Sequence, residues 1–261
     1  MGKHFDDVHA LWQSQLTGKP CEVVDSDQVK TARLAAKNYE GYVLLGDALS
    51  KQLRYCEAAE AYSEALQIRP NELPALRLRA GRYLSTLQWD KARADLTLCL
   101  ELGADRLDIT YRLGLCAYLR QNYGEAMNFF EKCLPLCGDE MGIAVIYWHT
   151  LSAYRCGAET VLLGKYHSGM DIGHHTAYEK AMSVCTGMSR VEEVLKELEN
   201  EPDDLEYVIA LYGVCGYLMH SGGREQSAEL MEKLLSRDGF WPCFAYLAAW
   251  NDGQRKGAPD H

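Results

Sequence analysis

Between residues 39 and 72 the apolar side chains recur at steps of three and four residues, which is the spacing of one face of an α-helix. One such run precedes Arg54 and Tyr55, and a second run follows them. Pro70 ends the second run, because proline cannot donate the next hydrogen bond of a helix. The pattern therefore predicts two paired helices with a turn between them. Their apolar positions are Tyr42, Leu45, Gly46 and Leu49 in the first helix and Ala58, Tyr62, Ala65 and Leu66 in the second.

The same pattern recurs with a period of 34 residues. Three independent columns share this spacing: Tyr55, Trp89 and Tyr123; Ala58, Ala92 and Ala126; Leu66, Leu100 and Leu134. A repeat of this length, with two helices in each unit, is typical of a solenoid in which every unit buries its apolar face against its neighbours.

These residues resemble the tetratricopeptide repeat family, whose motif has fixed Leu, Gly, Ala, aromatic and Pro positions. Residues 39–72 match it nearly throughout. Residues 73–106 depart from it at Arg79, which takes a leucine position, and residues 107–140 depart at Thr110, which takes a large position. The resemblance covers 102 residues. It implies an all-α fold, a right-handed α–α superhelix of about five helix pairs with capping helices.

Capping and degenerate elements are predicted outside these three repeats. Helices are expected at Phe5–Leu16 and Gln28–Lys37, and a closing helix is expected at Phe240–Trp250. Tyr178 and Ala181 fit the second helix of a fourth pair. The expected segments are N-terminal capping helices at 1–38, three regular repeats at 39–140, degenerate repeats with an insertion near 157–169 and a C-terminal capping helix at 141–252, and a flexible tail at 253–261.

Composition and charge make some classes of function unexpected. The chain has 261 residues and a formal charge of −10. Binding to phosphates needs a surplus of basic residues, so nucleic acid is not the expected partner. The start of the chain lacks the apolar core of a secretory signal, and the longest apolar run, Ile143–Trp148, is too short to cross a bilayer. We therefore expect a cytoplasmic protein without membrane insertion.

Ten cysteines are scattered along the whole chain. In a reducing cytoplasm they are expected to stay thiols. Cys99 and Cys133 occupy the column of Ala65, a small buried position, and Cys215 takes the place of the repeat glycine. We interpret these cysteines as packing residues rather than zinc ligands, because no Cys-x-x-Cys pair accompanies them. No cofactor is expected.

One stretch offers metal-binding chemistry. His167, Asp171, His174 and His175 supply imidazole and carboxylate groups within nine residues, and such groups bind metals. The interpretation that we favour is a polar segment between helices, because short motifs without structural context are mostly false. The chain has no phosphate-binding loop, nucleophile elbow or dinucleotide fingerprint. No catalytic residue is therefore expected, and the chain is not predicted to be an enzyme.

The family resemblance also implies a binding site. In that family, fixed positions of each first helix face a concave groove that binds peptides, and Arg77 with Arg112 is expected to hold a peptide carboxylate by paired hydrogen bonds. Chaperone-binding members use a clamp that is not matched here, since Asp47 and Asp108 would repel a carboxylate. No peptide ending in Glu-Glu-Val-Asp is therefore expected to bind. The expected groove residues are Val43, Asp47, Arg77, Leu84, Tyr111, Arg112, Leu115 and Tyr118.

The leading hypothesis is a non-catalytic protein–protein interaction module, a scaffold or adaptor that binds a partner peptide or segment in the groove. Two alternatives stay open: a chaperone for a secreted or membrane-inserting substrate, and a metal-dependent enzyme or sensor that uses the histidine stretch. A homodimer through the C-terminal aromatic region is a further alternative. That region contains Phe240, Trp241, Phe244, Tyr246 and Trp250.

Overall fold

A computed structural model describes residues 23–255 of the chain. This part contains thirteen α-helices and no strand, which confirms the predicted all-α class. Two short 3-10 helices lie at Leu134–Leu136 and Leu163–Lys165. The α-helices are α1 Asp27–Ala35, α2 Tyr39–Lys51, α3 Tyr55–Ile68, α4 Leu73–Ser85, α5 Trp89–Glu101, α6 Arg106–Leu119, α7 Tyr123–Cys133, α8 Asp139–Cys156, α9 Thr176–Cys185, α10 Val191–Leu198, α11 Asp204–Ser221, α12 Arg224–Leu235 and α13 Phe244–Arg255.

The internal contacts divide the chain into two units, unit 1 at residues 1–109 and unit 2 at residues 110–261. In unit 1, α2 packs on α3, α3 on α4, and α4 on α5, so the two predicted helix pairs are present. The expected helix at Gln28–Lys37 corresponds to α1, which packs on α2. Ser26 caps α1 by accepting a hydrogen bond from the Val29 amide at 3.2 Å. The helix expected at Phe5–Leu16 lies outside the described residues.

A turn with the same geometry joins the two helices of each regular pair. Leu53, Leu87 and Gln121, spaced by 34 residues, all have a positive φ, between 55° and 63°. This left-handed conformation is strained for a residue other than glycine. The following residue donates its amide to a carbonyl five residues earlier, at 2.8–3.0 Å, and this bond holds each turn. The donors and acceptors are Arg54 to Leu49, Gln88 to Tyr83, and Asn122 to Ala117.

The glycine column of the repeat marks a close approach of paired helices. A Cβ atom at Gly46 would lie 2.4 Å from the ring of Tyr62, and one at Gly114 would lie 2.6 Å from the ring of Phe130. Both distances are too short for real contacts, so each aromatic ring packs on bare backbone. This column therefore admits only small residues.

Arg79, which takes the leucine position of the second repeat, is accommodated by partners within unit 1. Its guanidinium donates two hydrogen bonds to Asp95, at 2.8 and 2.7 Å, and a third to the Ser63 hydroxyl at 3.1 Å. Asp95 is buried, and a buried carboxylate needs such a partner. A hydrogen-bonded ion pair therefore replaces the apolar contact that the repeat pattern predicts.

In unit 2 the helices vary more in length, from 8 to 18 residues, and their pairing is less regular. The 18-residue helices α8 and α11 are buried along most of their length. Between α8 and α9, residues 157–175 form no α-helix, so the inserted segment is longer than the 157–169 expected. Tyr178 lies edge-on to Tyr147 of α8, with 4.9 Å between ring centroids. However, α9 packs chiefly on α11 and only weakly on α8.

An aromatic cluster fills the centre of unit 2. Trp148 lies edge-on to Tyr118 and Tyr147, at 4.9 and 5.1 Å between centroids. The hydroxyls of Tyr118 and Tyr212 are 2.9 Å apart and hydrogen-bonded. Such edge-to-face pairs add to the stabilisation that comes from burying the rings.

Helix α13 closes this core, as the expected capping helix should. Asn251 donates its side-chain amide to the Leu119 carbonyl at 2.8 Å, and Asp252 pairs with Arg155 of α8. The helix continues to Arg255, beyond residue 253 where the tail was expected to begin. Among the helices of residues 23–255, none combines the length and the hydropathy needed to cross a bilayer.

Candidate functional site

Two of the predicted groove residues, Val43 and Asp47, lie half-buried on α2. The Tyr62 hydroxyl donates a hydrogen bond of 2.7 Å to Asp47 Oδ1. Burial raises the pKa of Tyr62, so its hydroxyl stays protonated and remains a donor at neutral pH. The carboxylate of Asp47 is therefore held in place by the second helix of its own pair.

Arg77 on α4 already has a carboxylate partner. Its Nε and Nη2 atoms donate to the two oxygens of Asp108, at 2.6 and 3.1 Å, although the Arg77 side chain is 48% exposed. The hydrogen bonds to Asp108 raise the pKa of the guanidinium. A peptide carboxylate would have to displace Asp108. One exposed ion pair would then replace another, so the binding free energy would gain little.

Three predicted groove residues are buried rather than exposed on a groove. Leu84, Leu115 and Tyr118 have relative exposures of 0%, 1% and 2%, so their expected contact with a partner peptide is not available in this structure. For Tyr118 the cause is visible, since its ring is covered by Trp148 and its hydroxyl is bonded to Tyr212.

The other two predicted residues of unit 2, Tyr111 and Arg112, are half-buried. The ring of Tyr111 lies edge-on to Phe130, with 5.9 Å between centroids. Burial is the main cause of its raised pKa. We therefore interpret Tyr111 as a packing residue of the third helix pair.

A cleft that the sequence did not indicate lies between α1 and α2. Its volume is about 510 Å³. Leu44 stands in it with 57% of its surface exposed, whereas its neighbour Leu45 is in the core. Two adjacent leucines, Leu44 and Leu45, cannot both lie on the buried face of one helix, and this is the sequence signal that could have revealed the cleft. The lining residues are Asp27, Gln28, Thr31, Ala32, Ala35, Leu44, Asp47, Ala48 and Lys51.

The predicted histidine stretch is only partly brought together. His167 is exposed, and its Nδ1 is 3.3 Å from the carbonyl of the adjacent Ser168. The amide of Asp171 donates a hydrogen bond to Asp139 Oδ2 at 3.1 Å, while the Asp171 carboxylate joins no ligand cluster among the described residues. His174 and His175 do converge, and their third neighbour is Glu140 of α8. Spacing could not have indicated Glu140, because it lies 34 residues before His174.

The thiols fit the packing role that the sequence predicts. The described residues include nine cysteines, and five of them are buried. Cys99 and Cys133, in the column of Ala65, are fully buried like that alanine. Burial raises the pKa of Cys133 to about 12 and that of Cys243 to about 11. These two thiols are therefore protonated at neutral pH and are poor nucleophiles.

The aromatic residues near the C-terminus are divided between core and surface. Trp241 and Tyr246 are buried, with relative exposures of 0% and 1%, whereas Phe240 is 49% exposed. The buried pair contributes to closing unit 2 and is not available to a second chain, which leaves Phe240 as the exposed member of the predicted dimer region.

Comparison with known proteins supports the repeat assignment. Residues 39–72 match the family model described as tetratricopeptide repeat. The mitochondrial import receptor subunit TOM70 of Rattus norvegicus is 27% identical over 132 residues, which is 49% of this chain and 20% of that protein. The Homo sapiens protein of the same name is 28% identical over 134 residues, 49% of this chain and 21% of that protein. The chain thus spans about a fifth of the length of the curated relatives it matches.

Similar solved structures include that of YrrB, described as a TPR protein with an unusual peptide-binding site. It shares 13% identity with a TM-score of 0.45, over 88% of this chain and 100% of that one. The structure of Naa15/Naa10 bound to HypK-THB shares 14% identity with a TM-score of 0.40, over 98% of this chain and 42% of that one.

The repeat at residues 39–72 thus has three properties of one family. Its sequence matches the family model, its two helices form a closely packed pair, and its turn geometry recurs after 34 and 68 residues. Residues 39–72 are therefore a tetratricopeptide repeat.

Proposed function

We propose that the chain is a non-catalytic protein–protein interaction module, a scaffold or adaptor, and that it binds a segment of a partner protein in the cleft between α1 and α2. The observation that carries this proposal is the half-exposed Leu44 in a cleft of about 510 Å³ beside the best-matched repeat. Clefts that offer an apolar anchor point beside a few polar groups are typical of peptide recognition.

The lining of the cleft defines the chemistry of the partner. Leu44 and Ala48 supply an apolar surface, and Asp27 and Asp47 place one carboxylate on each of the two helices. Such a cleft fits an aliphatic side chain that is followed closely by a lysine or arginine. Of the predicted groove residues, Asp47 lines this cleft, and we propose that Val43 of α2 and Arg77 of α4, which is paired with Asp108 of α6, extend the same surface.

The absence of catalysis is part of the same proposal. Burial raises the pKa values of the Cys133 and Cys185 thiols to about 12. These thiols stay protonated at neutral pH and are poor nucleophiles, which supports this part of the proposal. We also propose a reducing compartment such as the cytoplasm, because a chain with ten scattered cysteines keeps them as thiols most readily there.

The names of the relatives favour a second candidate. TOM70 is named as a subunit of an import receptor, which supports the alternative that this chain is a chaperone for a secreted or membrane-inserting substrate. Co-expression with a poorly soluble candidate substrate tests it, since a chaperone should raise the soluble fraction of that substrate.

The binding proposal can be tested with a peptide array and two matched variants. The array should sample 15-residue peptides in which one aliphatic residue stands near one basic residue. For the strongest binders, Leu44→Glu should weaken binding by at least about tenfold, which corresponds to about 1.4 kcal/mol. The physical reason is that a charge would have to be buried beside the aliphatic anchor.

Leu34→Glu is the control, because Leu34 is a leucine of α1 that is 78% exposed and does not line the cleft. It introduces the same charge and should leave the affinity unchanged. Equal losses in both variants, or no binder on the array, would contradict the cleft assignment. A peptide ending in Glu-Glu-Val-Asp belongs on the same array as a negative, and micromolar binding of it would contradict the expected repulsion by Asp47 and Asp108.

A further inference from the structure

We propose that Glu140, His174 and His175 form a binding site for a divalent transition-metal ion, best represented by Zn²⁺. One potential ligand atom from each residue lies within 4.8 Å of the other two. The Nδ1 atoms of His174 and His175 are 3.3 and 3.9 Å from the same oxygen, Glu140 Oε1. Ligand atoms bound tetrahedrally at zinc distances are about 3.4 Å apart, so small side-chain rotations would complete the site.

The backbone around the cluster is shaped to admit the carboxylate. Gly173 has a φ of +55°, and a Cβ atom at this position would lie 2.8 Å from Glu140 Oε1. A larger residue would therefore be strained and would push the carboxylate away. One residue pair beside the cluster holds the same two segments together, since the Asp171 amide donates to the Asp139 carboxylate at 3.1 Å.

The arrangement of the histidine rings leaves one ring nitrogen without a hydrogen-bond partner among the described residues. The two rings stack with 4.7 Å between centroids. The Nδ1 atom of His175 is buried and makes no hydrogen bond among the described residues. A buried polar atom without a partner is unfavourable, and a bound ion would satisfy it.

The donor set favours particular ions. Two imidazoles and one carboxylate suit zinc and its first-row neighbours, whereas magnesium and calcium prefer oxygen ligands. Three protein ligands leave a coordination position for water or another donor. Glu140 and His174 have side chains that are 51% and 85% exposed, so the ion would exchange with solvent.

A bound ion would link two segments of unit 2. It would connect the inserted segment, residues 157–175, to the first turn of α8. This role is independent of the proposed peptide cleft, because all three ligands lie in unit 2 and the cleft lies in unit 1. Failure of one proposal therefore leaves the other unaffected.

Calorimetric titration of the chelator-treated, untagged full chain with zinc chloride tests the site. We expect one saturable equivalent, and little heat with magnesium chloride at the same concentrations. Glu140→Ala, His174→Ala and His175→Ala should each weaken zinc binding by at least about tenfold, because loss of an outer-shell partner alone typically costs 10–100-fold. Limited proteolysis gives a second measurement, since zinc should slow cleavage within residues 157–175 in the wild type and not in His175→Ala.

Two control variants keep the test specific. His167→Ala removes a nearby histidine that lies outside the cluster, and the double variant His4→Ala, His9→Ala removes the histidines near the start of the chain. Both should keep the wild-type affinity. The proposal is overturned if the wild type shows no saturable zinc binding below about 100 µM, or if the His174 and His175 variants, with unchanged helicity by circular dichroism, bind as tightly as the wild type.

Discussion

The two units of the chain differ in charge and in the size of their buried side chains. Residues 1–109 contain 16 acidic and 14 basic residues, whereas residues 110–261 contain 21 and 13, so net charges of −2 and −8 make up the total of −10. The seven largest fully buried side chains of the described residues are all aromatic, and six of them belong to unit 2. The exception is Tyr62, which packs on the glycine of its own repeat.

This difference bears on the part of unit 2 beyond residue 140, where the repeat is no longer recognised, whereas the third regular repeat, residues 107–140, still falls mostly within unit 2. In unit 1 the helices approach through small residues, such as Gly46 and Ala58, whose spacing is fixed by the backbone. In unit 2, rings such as Trp148 and Tyr212 separate the helices and can be supplied from several positions. A regular period is therefore a property of close backbone packing, and a core of large side chains permits insertions and shifts.

The largest expected effect is the removal of a ring from the aromatic cluster. Trp148→Ala should lower the free energy of unfolding by about 3–5 kcal/mol, the range for a large aromatic residue truncated in a core. Hydrogen exchange followed by mass spectrometry should show faster exchange in α8 and α11, with α2 and α3 little affected. Equal acceleration in all four helices would show that the two units form one cooperative core.

A moderate effect is expected at the glycine column, which both units share. Gly46→Ala and Gly114→Ala should each cost about 1–3 kcal/mol, because the added Cβ atom would overlap an aromatic ring. Gly124→Ala is the control, since a Cβ atom there meets no other residue within 4 Å, and it should stabilise the protein by about 0.4–1 kcal/mol. Urea denaturation measures all three. A neutral result at Gly114 alone would limit the close-packed geometry to unit 1.

The smallest expected effects are changes of stability with pH. They should occur in different pH ranges in the two units. His149 of unit 2 is fully buried, with its Nε2 atom 3.2 Å from Glu131 Oε1, and burial lowers its pKa. Its neutral form is favoured in the folded state, so this stabilisation is present above the unfolded pKa of about 6.5 and is lost as the pH falls towards the folded value. Between pH 7 and pH 5 the wild type should lose thermal stability, and His149→Gln should lose less.

In unit 1 the corresponding group is Asp25, whose pKa is lowered by hydrogen bonds to Arg33 and then to Arg54. Its stabilisation is present above the unfolded pKa and is lost only as the pH falls through a folded value below 3.8. The difference in stability between the wild type and Asp25→Asn should therefore stay constant from pH 7 to pH 5 and shrink below pH 4. A wild-type profile that is flat between pH 7 and pH 5 would contradict the assignment to His149.

The sequence was sufficient for features that depend on neighbours along the chain. The helix pairs, the small column at Gly46 and the packing role of Cys99 follow from a spacing that the backbone imposes. The positive φ at Leu53 was not predictable in the same way, because leucine is not a residue that this conformation favours. Only the structure shows the hydrogen bond that holds this turn, which runs from the Arg54 amide to the Leu49 carbonyl five residues earlier.

Features that depend on distant segments were predicted less well. Tyr118 was assigned to a groove from its repeat position, but rings from α8 and α11 cover it. Glu140 was missed beside His174 and His175, because the first turn of a helix gives no sign of which loop will return to it. Arg77 was predicted to hold a peptide carboxylate, whereas in the structure its guanidinium pairs with Asp108 of the same chain.

The hydrogen bond from Asn251 to the Leu119 carbonyl has a consequence for synthesis of the protein, because it joins residues 132 positions apart. A ribosome makes the chain from the N-terminus, and domains generally fold as they emerge. The helix pairs of unit 1 use partners that are close in sequence, so they can assemble early. Unit 2 is completed only when α13 emerges, because α13 packs on α11 and its Asp252 pairs with Arg155 of α8. The second half of the nascent chain therefore keeps part of its apolar surface exposed for longer than the first half.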